Sequence, residues 1–502
     1  MSFPLLTVLA AVPLLGGLAL IWVRGATGRL VGFGVSLLTL VLGLVAFFSS
    51  GPLAENVMWI GSIGAHYAVG LDGMGKAMVL LTVVLVPAVL LAEWHVGEEE
   101  GARWGTSAFF GLALVLESFA LLVFMATDVL LFYLVFEATL IPMYFLIGGW
   151  GGPKRAQAAV KFLLYSLAGG LIMLFGVIGV GVQTAQAGTA SFLISDVAAL
   201  HLSSVTGRWL FVAFFIAFAI KAPMVPVHTW LPDTAEQATT GSSTLLVGIL
   251  DKIGTFGMIR LCLGMLPEAS RWASPVVLIL ALVSIFWGAF MAIGSRHLLR
   301  LISYTSVSHF GFMVLGIFAF TTQSLSGSIF YMLNHGFSTA ALFLAVGYIV
   351  KRRGSADIRA FGGVEKVAPV AAGLFLVAGL STLALPGMSS FISEFMVMAG
   401  TFQRHPWLAA ISTICTVLAA LYVLLAYQRT MTGPASEVAE THFAGRDLTG
   451  RERLVMVPLI ALLLVFGFFP KPMLQVVEHT ANTTMAAVGL TDPAPAAAQG
   501  GK

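Results

Sequence analysis

Charge is what this chain has least of: 26 Lys and Arg and 23 Asp and Glu among 502 residues, about 10%. So few charged groups cannot cover a water-soluble globule of this length, and 58% hydrophobic residues with a mean hydropathy of +0.96 make it an integral membrane protein. Cysteine is nearly absent. Cys262 and Cys415 both lie in apolar stretches away from any His/Cys cluster, so they read as packing residues, and no metal, haem or iron–sulfur motif is present. A net charge of only +3, with the basic residues scattered, gives no reason to expect nucleic acid as a partner. No Ser/His/Asp nucleophile set, phosphate loop or paired catalytic acids stand out. The longest polar pieces, around Glu93–Arg103, Gln183–Arg208 and Thr430–Arg453, are too short for a separate catalytic domain.

What is present is a succession of apolar runs. At about 20 residues per crossing the chain divides into fourteen segments, roughly 3–23, 30–49, 77–94, 106–126, 129–149, 158–182, 209–232, 240–264, 273–293, 298–320, 325–350, 369–403, 407–428 and 454–470. The expected fold is therefore an all-α polytopic membrane protein. Long runs recur throughout, so the first is a span rather than a cleaved signal. Assigning the connections alternately puts sixteen Lys and Arg residues on one side, among them Arg24, Arg29, Lys154, Arg155, Lys351, Arg352 and Arg446, against four on the other, Lys76, Arg208, Arg271 and Arg404. By the positive-inside rule the odd-numbered connections are cytoplasmic and both termini lie outside. The Ala/Pro/Gly-rich tail, Thr491–Lys502, is expected to be disordered.

The seventh and twelfth segments are interrupted by Pro and Gly. In each case the interrupted helix is the fourth of a set of five, spans 4–8 and spans 9–13. An offset of five is odd, so the second set enters the membrane from the opposite side. That is an inverted repeat with discontinuous helices in corresponding places, the arrangement that places ion sites at the midplane of transporters. The implied divisions are 1–105 for the first three spans, 106–268 and 269–430 for the two repeats, and 431–502 for a cytoplasmic loop, the last span and the tail.

Titratable residues within the apolar runs carry the chemistry, because each is costly at membrane depth. Glu137 lies near half depth in the fifth span. Lys221 ends the run Trp209–Ile220 and is followed at once by Ala-Pro-Met-Val-Pro. Burial disfavours the charged form of each, so bringing them together stabilises both charges and separating them pushes both toward neutrality. Such a pair is a proton store controlled by distance; a static ion pair pinning two helices is the alternative. Lys252 in the eighth span is adjacent to Asp251, but neighbours at i and i+1 diverge by about 100° on a helix, so Asp251 is not automatically its partner. A local charge pair near a helix end is the competing reading. His309 and His335 lie on consecutive spans among Ser and Thr, where imidazole can pass a proton through either ring nitrogen, although buried histidines are often simply satisfied core residues. Glu394 follows the break Pro386-Gly387 and is expected to begin a half-helix whose free N–H groups favour a carboxylate. It is either a terminal proton site or only a cap. Weaker candidates are Glu117 in the fourth span, Lys161, which can snorkel from a helix end, and Asp251. His228, after the first break, is placed at a cytoplasmic proton entrance or in a capping role. Together Glu137, Lys221, Lys252, His309, His335 and Glu394 suggest a horizontal file of titratable groups, with water bridging most gaps.

Four stretches carry a family resemblance: Phe136-Glu137-Ala-Thr-Leu-Ile-Pro142-Met143-Tyr144, Lys221-Ala-Pro223-Met-Val-Pro226-Val-His228-Thr-Trp230-Leu-Pro232-Asp233, Ser303-Tyr304-Thr-Ser306-Val-Ser308-His309 and Ser393-Glu394-Phe395. They resemble the antiporter-like membrane subunits of respiratory complex I, the proton-pumping NADH:quinone oxidoreductase. Glutamate at position 394, where sister subunits carry lysine, is similar to the subunit M branch, the bacterial counterpart of mitochondrial subunit 4. The resemblance implies that Glu137 and Lys221 form a coupling pair, that Lys252 is the central lysine, that His309 and His335 belong to the relay and that Glu394 is the distal site. Asp251 departs from the pattern, since many relatives have an apolar residue there. Further implications are a bacterial inner membrane, neighbouring antiporter-like subunits and lipids as partners, and no cofactor in this chain. FMN, iron–sulfur clusters and quinone belong to partner subunits, and a redox arm acts only indirectly. The function expected is proton translocation as a subunit of that translocase. Rival readings are a subunit of a multi-subunit sodium/proton antiporter, a membrane subunit of an energy-converting hydrogenase or formate-linked complex, and a scaffold whose charges only pin helices.

Overall fold

The structure, a computed structural model, describes residues 4–493; most of the expected disordered tail lies outside the described residues. The helices are α1 (Leu5–Ala19), α2 (Gly25–Phe48), α3 (Gly73–Ala92), α4 (Thr106–Met125), α5 (Val129–Ala138), α6 (Leu140–Gly149), α7 (Arg155–Gln186), α8 (Ile194–Ala198), α9 (Ser204–Lys221), α10 (Trp230–Gln237) and α11 (Thr240–Leu245). They continue with α12 (Lys252–Gly257), α13 (Pro267–Gly294), α14 (Leu298–Phe318), α15 (Thr322–Arg353), α16 (Pro369–Thr382), α17 (Ser389–Arg404), α18 (Pro406–Met431), α19 (Glu437–Phe443), α20 (Gly450–Phe468) and α21 (Lys471–Val488). Ten helices among the described residues are long and apolar enough to cross a membrane, and an eleventh crossing is added if α20 and α21, bent by 72°, are taken together. The other expected segments are helical too but short or interrupted: α1, the stretch from α11 through α12, and the broken pair α16 and α17.

Contacts between connections show how the helices alternate. Arg29, before the second expected span, pairs with Glu98 before the fourth at 2.7 Å, and Lys351 pairs with Glu99 at 2.7 Å. Arg155 donates to Gly101 O at 2.6 Å, the Lys154 N–H to Gln237 at 3.0 Å, Ile358 N–H to Arg296 O at 2.9 Å and Arg352 to Arg446 O at 2.6 Å. All seven odd-numbered connections are thereby linked at one end of the bundle. At the other end Phe192 N–H donates to Gly64 O at 3.3 Å, Arg271 to Val488 O at 3.0 Å and Arg404 to Thr491 O at 2.8 Å.

Two elements lie outside the expected segments, and the first of them is not helical. Leu53–Ile60 (β1) pairs antiparallel with Ala65–Leu71 (β2), Leu53 opposite Leu71, with an irregularity between Met58 and Ile60. Gly64 turns the hairpin at φ +70, and a Cβ there would fall 1.9 Å from Ala190 O, so only glycine lets the turn seat against the 190–192 backbone. The second is α21, which Pro470 starts in a new direction and which docks Thr480 on the Met74 N–H at 3.3 Å.

The centre of the molecule is α14 and α15, whose apolar windows are wholly buried. Their inner faces carry Ser303, Ser306, Ser308, Asn334, Ser338 and Thr339, all buried, so the core of this bundle is polar where an ordinary one is apolar. Buried polar groups of this kind are retained only when partnered or functional. Charged anchors close the end where the odd-numbered connections meet: the Arg352 guanidinium meets the buried Glu452 carboxylate at 2.6 Å, and Lys351 meets Glu93, 1% exposed, at 2.9 Å. Glu93 also accepts from the Gly241 N–H at 2.7 Å, tying α3 to the start of α11 and to the end of α15.

Candidate functional site

Two interrupted helices and a strained third build the site. Pro142 has no N–H for the carbonyl of Ala138, and the helix divides at Thr139 into α5 and α6, two residues beyond Glu137. Glu137 is half-buried and aims at α7, where a Cβ on Gly170 would fall 1.7 Å from its Oε1. Glycine at 170 thus makes the room the carboxylate occupies. We expect Gly170→Ala to expel the Glu137 side chain and to lower proton-coupled turnover by about as much as Glu137→Gln, with assembly on a native gel unchanged. Full turnover in Gly170→Ala would show that this placement of Glu137 is not required.

The first break follows Lys221, the last residue of α9. Chain ends left free by Pro223 and Pro226 are tied by the Trp230 indole donating to Ile220 O at 3.0 Å, the Val225 N–H donating to Ser284 at 3.0 Å and a Tyr165–Thr229 hydroxyl contact at 2.8 Å. The Lys221 ammonium, 1% exposed, has no hydrogen-bond partner among the described residues and sits 5.4 Å from the ring centres of Phe136 and Phe162. Aromatic faces stabilise a cation by about 0.5–2 kcal/mol, less than its burial costs. Glu137 and Lys221 are therefore neighbours through Phe136 and not an ion pair here.

Lys252 lies between two π-helical turns, Leu246–Leu250 and Met258–Leu263. In the first, the Asp251 N–H skips to Leu246 O at 3.0 Å, which frees the Val247 carbonyl. The Lys252 ammonium takes that carbonyl at 2.6 Å and also reaches His335 Nδ1 at 2.7 Å. With Nδ1 accepting, His335 carries its proton on Nε2, 3.2 Å from the Thr339 hydroxyl. The His335 and His309 rings meet edge to face at 5.1 Å, and His309 Nε2 is 3.4 Å from the Tyr422 hydroxyl. The Tyr331 hydroxyl, whose ring lies 5.9 Å from His309, donates to Glu394 Oε2 at 2.8 Å.

Glu394 is six residues into α17, which begins at Ser389, and is 4% exposed. The expectation that it begins the half-helix is corrected: among the described residues Tyr331, and no backbone N–H, holds it. The second break is held by α15, where Asn334 donates to Ser389 O at 3.0 Å and Ser338 meets Thr382 at 3.0 Å. Ala384 (φ 58) and Gly387 (φ 92) make the turn.

The remaining candidates separate cleanly. Asp251 does not pair with Lys252; neither of its oxygens has a partner among the described residues. The same holds for Glu117, buried in α4. Lys161 is bonded to Asp233 at 2.6 Å, and Arg300 reaches the same carboxylate at 2.7 Å. Burial pushes the Asp233 carboxyl up, but these two cations outweigh it and hold it below the usual carboxylate range. His228 accepts from the Trp287 indole at 3.1 Å and is packed by Tyr304.

Residues 126–419 match the model of a family described as NADH:quinone oxidoreductase/Mrp antiporter, TM. A relative from Mycobacterium tuberculosis named NADH-quinone oxidoreductase subunit M is 46% identical over 99% of this chain and 97% of its own length. The chain belongs to the antiporter-like subunit M family. A chain of respiratory complex I from Thermus thermophilus superposes with a TM-score of 0.88 at 30% identity, covering 97% of this chain and 100% of that one. A chain of the Mrp complex from Dietzia superposes with a TM-score of 0.84 at 21% identity, a likeness of fold alone. This subunit M chain is a multi-pass membrane subunit of the complex I type, part of a translocating oxidoreductase.

Within this subunit M chain, sequence reasoning missed Tyr331, Tyr422, Thr339 and Gly170. The tyrosines fall in apolar helical runs and read as core aromatics. A usable signal was Tyr331 four residues before His335, on the same face of α15.

Proposed function

We propose that this chain moves protons along a mid-membrane file of Glu137, Lys221, Lys252, His335, His309 and Glu394, with Tyr331 and Tyr422 bridging its distal end, driven by quinone reduction in other subunits. One observation carries the reading: the buried helices α12 and α15 hold Lys252, His335 and Thr339 in hydrogen-bond contact, and Tyr331 of α15 joins Glu394, between two interrupted helices. Each member can hold or release a proton, and rotation of a hydroxyl or imidazole passes it on. The uncontacted step from Glu137 to Lys221 is the one whose length can be controlled. His228 is proposed at the proton entrance; Glu117 stays a reserve candidate, and Lys161 serves to pin Asp233.

The reading places two inverted five-helix units, 106–268 and 269–430, around the file, supported by the matching positions of the two breaks. Fourteen crossings with both termini outside a bacterial inner membrane are supported by the convergence of the odd-numbered connections, which hold most of the Lys and Arg residues. Other antiporter-like subunits and lipids are the proposed neighbours, with FMN, iron–sulfur clusters and quinone in the subunits that perform redox chemistry.

The test is to tag the chain in its host, extract membranes in mild detergent and separate the assemblies on a native gel. A large band that oxidises NADH with quinone and contains flavin and iron–sulfur subunits is expected. A smaller assembly without NADH activity, with sodium-dependent proton flux in vesicles, would replace this reading with that of a sodium/proton antiporter subunit.

A further inference from the structure

Asp251 is fully buried beside Lys252, neither of its oxygens has a hydrogen-bond partner among the described residues, and its surroundings say what it faces. The helix that carries it lies against the end of α9. A Cβ on Gly254 would fall 2.4 Å from the Ala222 nitrogen and 2.6 Å from Phe218 O, and one on Gly257 would fall 2.4 Å from the Phe218 ring. The Gly254 face of α12 is therefore pressed on the backbone that presents Lys221. At roughly 100° per residue, Asp251 is about 60° from Gly254 around the helix, while Lys252 is about 160° away on the side of α15. Lys252 accordingly meets His335, and Asp251 turns toward α9.

Three facts then coincide. Asp251 is 0% exposed and both its oxygens lack a hydrogen-bond partner among the described residues. Lys221 is 1% exposed and its ammonium is equally unpartnered. Lys252, the neighbour in sequence, is engaged by Val247 O and His335 Nδ1 and makes no hydrogen bond to Asp251. The fields of both ammonium groups nevertheless reach the carboxylate, and that of Glu137 reaches Lys221 from its other side. An unpaired carboxylate and an unpaired ammonium in one apolar region attract each other strongly, since there is little solvent between them to screen the charges.

We infer that Asp251 is the second counter-ion of Lys221 and the proton carrier between Lys221 and Lys252. The inference rests on the proton file described above and adds a step within it. When Lys221 swings from the Glu137 side toward Asp251, its ammonium gives one proton to the carboxylate, leaving a neutral amine and a neutral carboxylic acid. Once the Lys252 ammonium has given a proton to His335 Nδ1, with which it is in hydrogen-bond contact, the acid passes its proton to the neutral Lys252 amine and returns to carboxylate. Charge is conserved at each hand-over, and Lys221 is free to take the next proton from Glu137. In this chain the gap between the two lysines is thus bridged by a side chain.

The test uses the intact complex in membrane vesicles, with Asp251→Asn, Asp251→Glu and Asp251→Leu. Asn keeps the size and hydrogen-bonding capacity of the side chain and removes only its ability to carry a proton as a carboxyl group. NADH-driven proton uptake in Asp251→Asn is expected to fall at least about tenfold, with the complex assembled, and Asp251→Glu is expected to recover at least half of the parent rate. Asp251→Leu, apolar and close in size, keeps the question open to measurement if Asn prevents assembly, and the same loss is expected. Proton uptake within twofold of the parent in an assembled Asn or Leu variant overturns the inference. So does a loss in Asp251→Asn that Asp251→Glu fails to reverse. Proton uptake within twofold of the parent in Lys221→Ala, by contrast, sinks the proton file itself, so the two failures are told apart.

Discussion

Lys221→Ala is expected to leave the complex assembled and to lower NADH-driven proton uptake at least about tenfold, a conservative bound beside the roughly 10²–10⁴-fold that a positioned acid or base contributes. The assembly half of this expectation comes from what the ammonium does not do. It makes no hydrogen bond and no ion pair among the described residues, and its contacts are the faces of Phe136 and Phe162. Removing a buried charge that lacks a close partner relieves a desolvation cost of several kcal/mol and loses a cation–π attraction of about 0.5–2 kcal/mol. Folding should therefore tolerate the change. The backbone breaks that shape this region are held by Trp230, Ser284 and Tyr165, and alanine touches none of them. Activity is a different matter, because a charge kept in an apolar site at a net cost to stability is kept for its titration. The measurement is proton uptake by vesicles at matched complex content, read from the native gel. Uptake within twofold of the parent would leave Lys221 a structural cation and remove the file's first step.

Much of this was legible in the chain because burial makes charge conspicuous. Glu137, Lys221, Lys252, His309, His335 and Glu394 stand out from apolar sequence, and the two Pro/Gly interruptions mark where α9 gives way to α10 and α16 to α17. The hairpin Leu53–Leu71 was missed although its residues alternate and Gly61 and Gly64 bracket its turn, because two short strands between spans read as a loop. The π turns around Lys252 were not legible at all. They depend on which carbonyl the Asp251 N–H chooses, a matter of hydrogen-bond register that composition does not encode. The relation between Asp251 and Lys252 was legible only as a question. Adjacency in sequence suggested a pair, and the direction of each residue around the helix decided otherwise. Glu394 illustrates the opposite case: its identity was plain, but its partner, Tyr331, is 63 residues away in sequence and emerges only from packing.

Lys252 should behave unlike Lys221 when replaced, and the contrast is the sharper test of the file. The Lys252 ammonium satisfies the Val247 carbonyl, which the π turn has released, and His335 Nδ1. Lys252→Met leaves both acceptors buried and unmet, at about 1–3 kcal/mol each, so assembly is expected to decline together with proton uptake. That variant alone cannot separate a structural cation from a proton carrier. Lys252→Arg can. Guanidinium supplies N–H donors for both acceptors and retains the positive charge, but it does not give up a proton at any accessible pH. The expected result is a complex that assembles better than Lys252→Met and still takes up protons at least about tenfold more slowly than the parent. If Lys252→Arg pumps within twofold of the parent, Lys252 acts as a fixed positive charge that orients His335, and the proton crosses this part of the membrane by a route that does not include its amine.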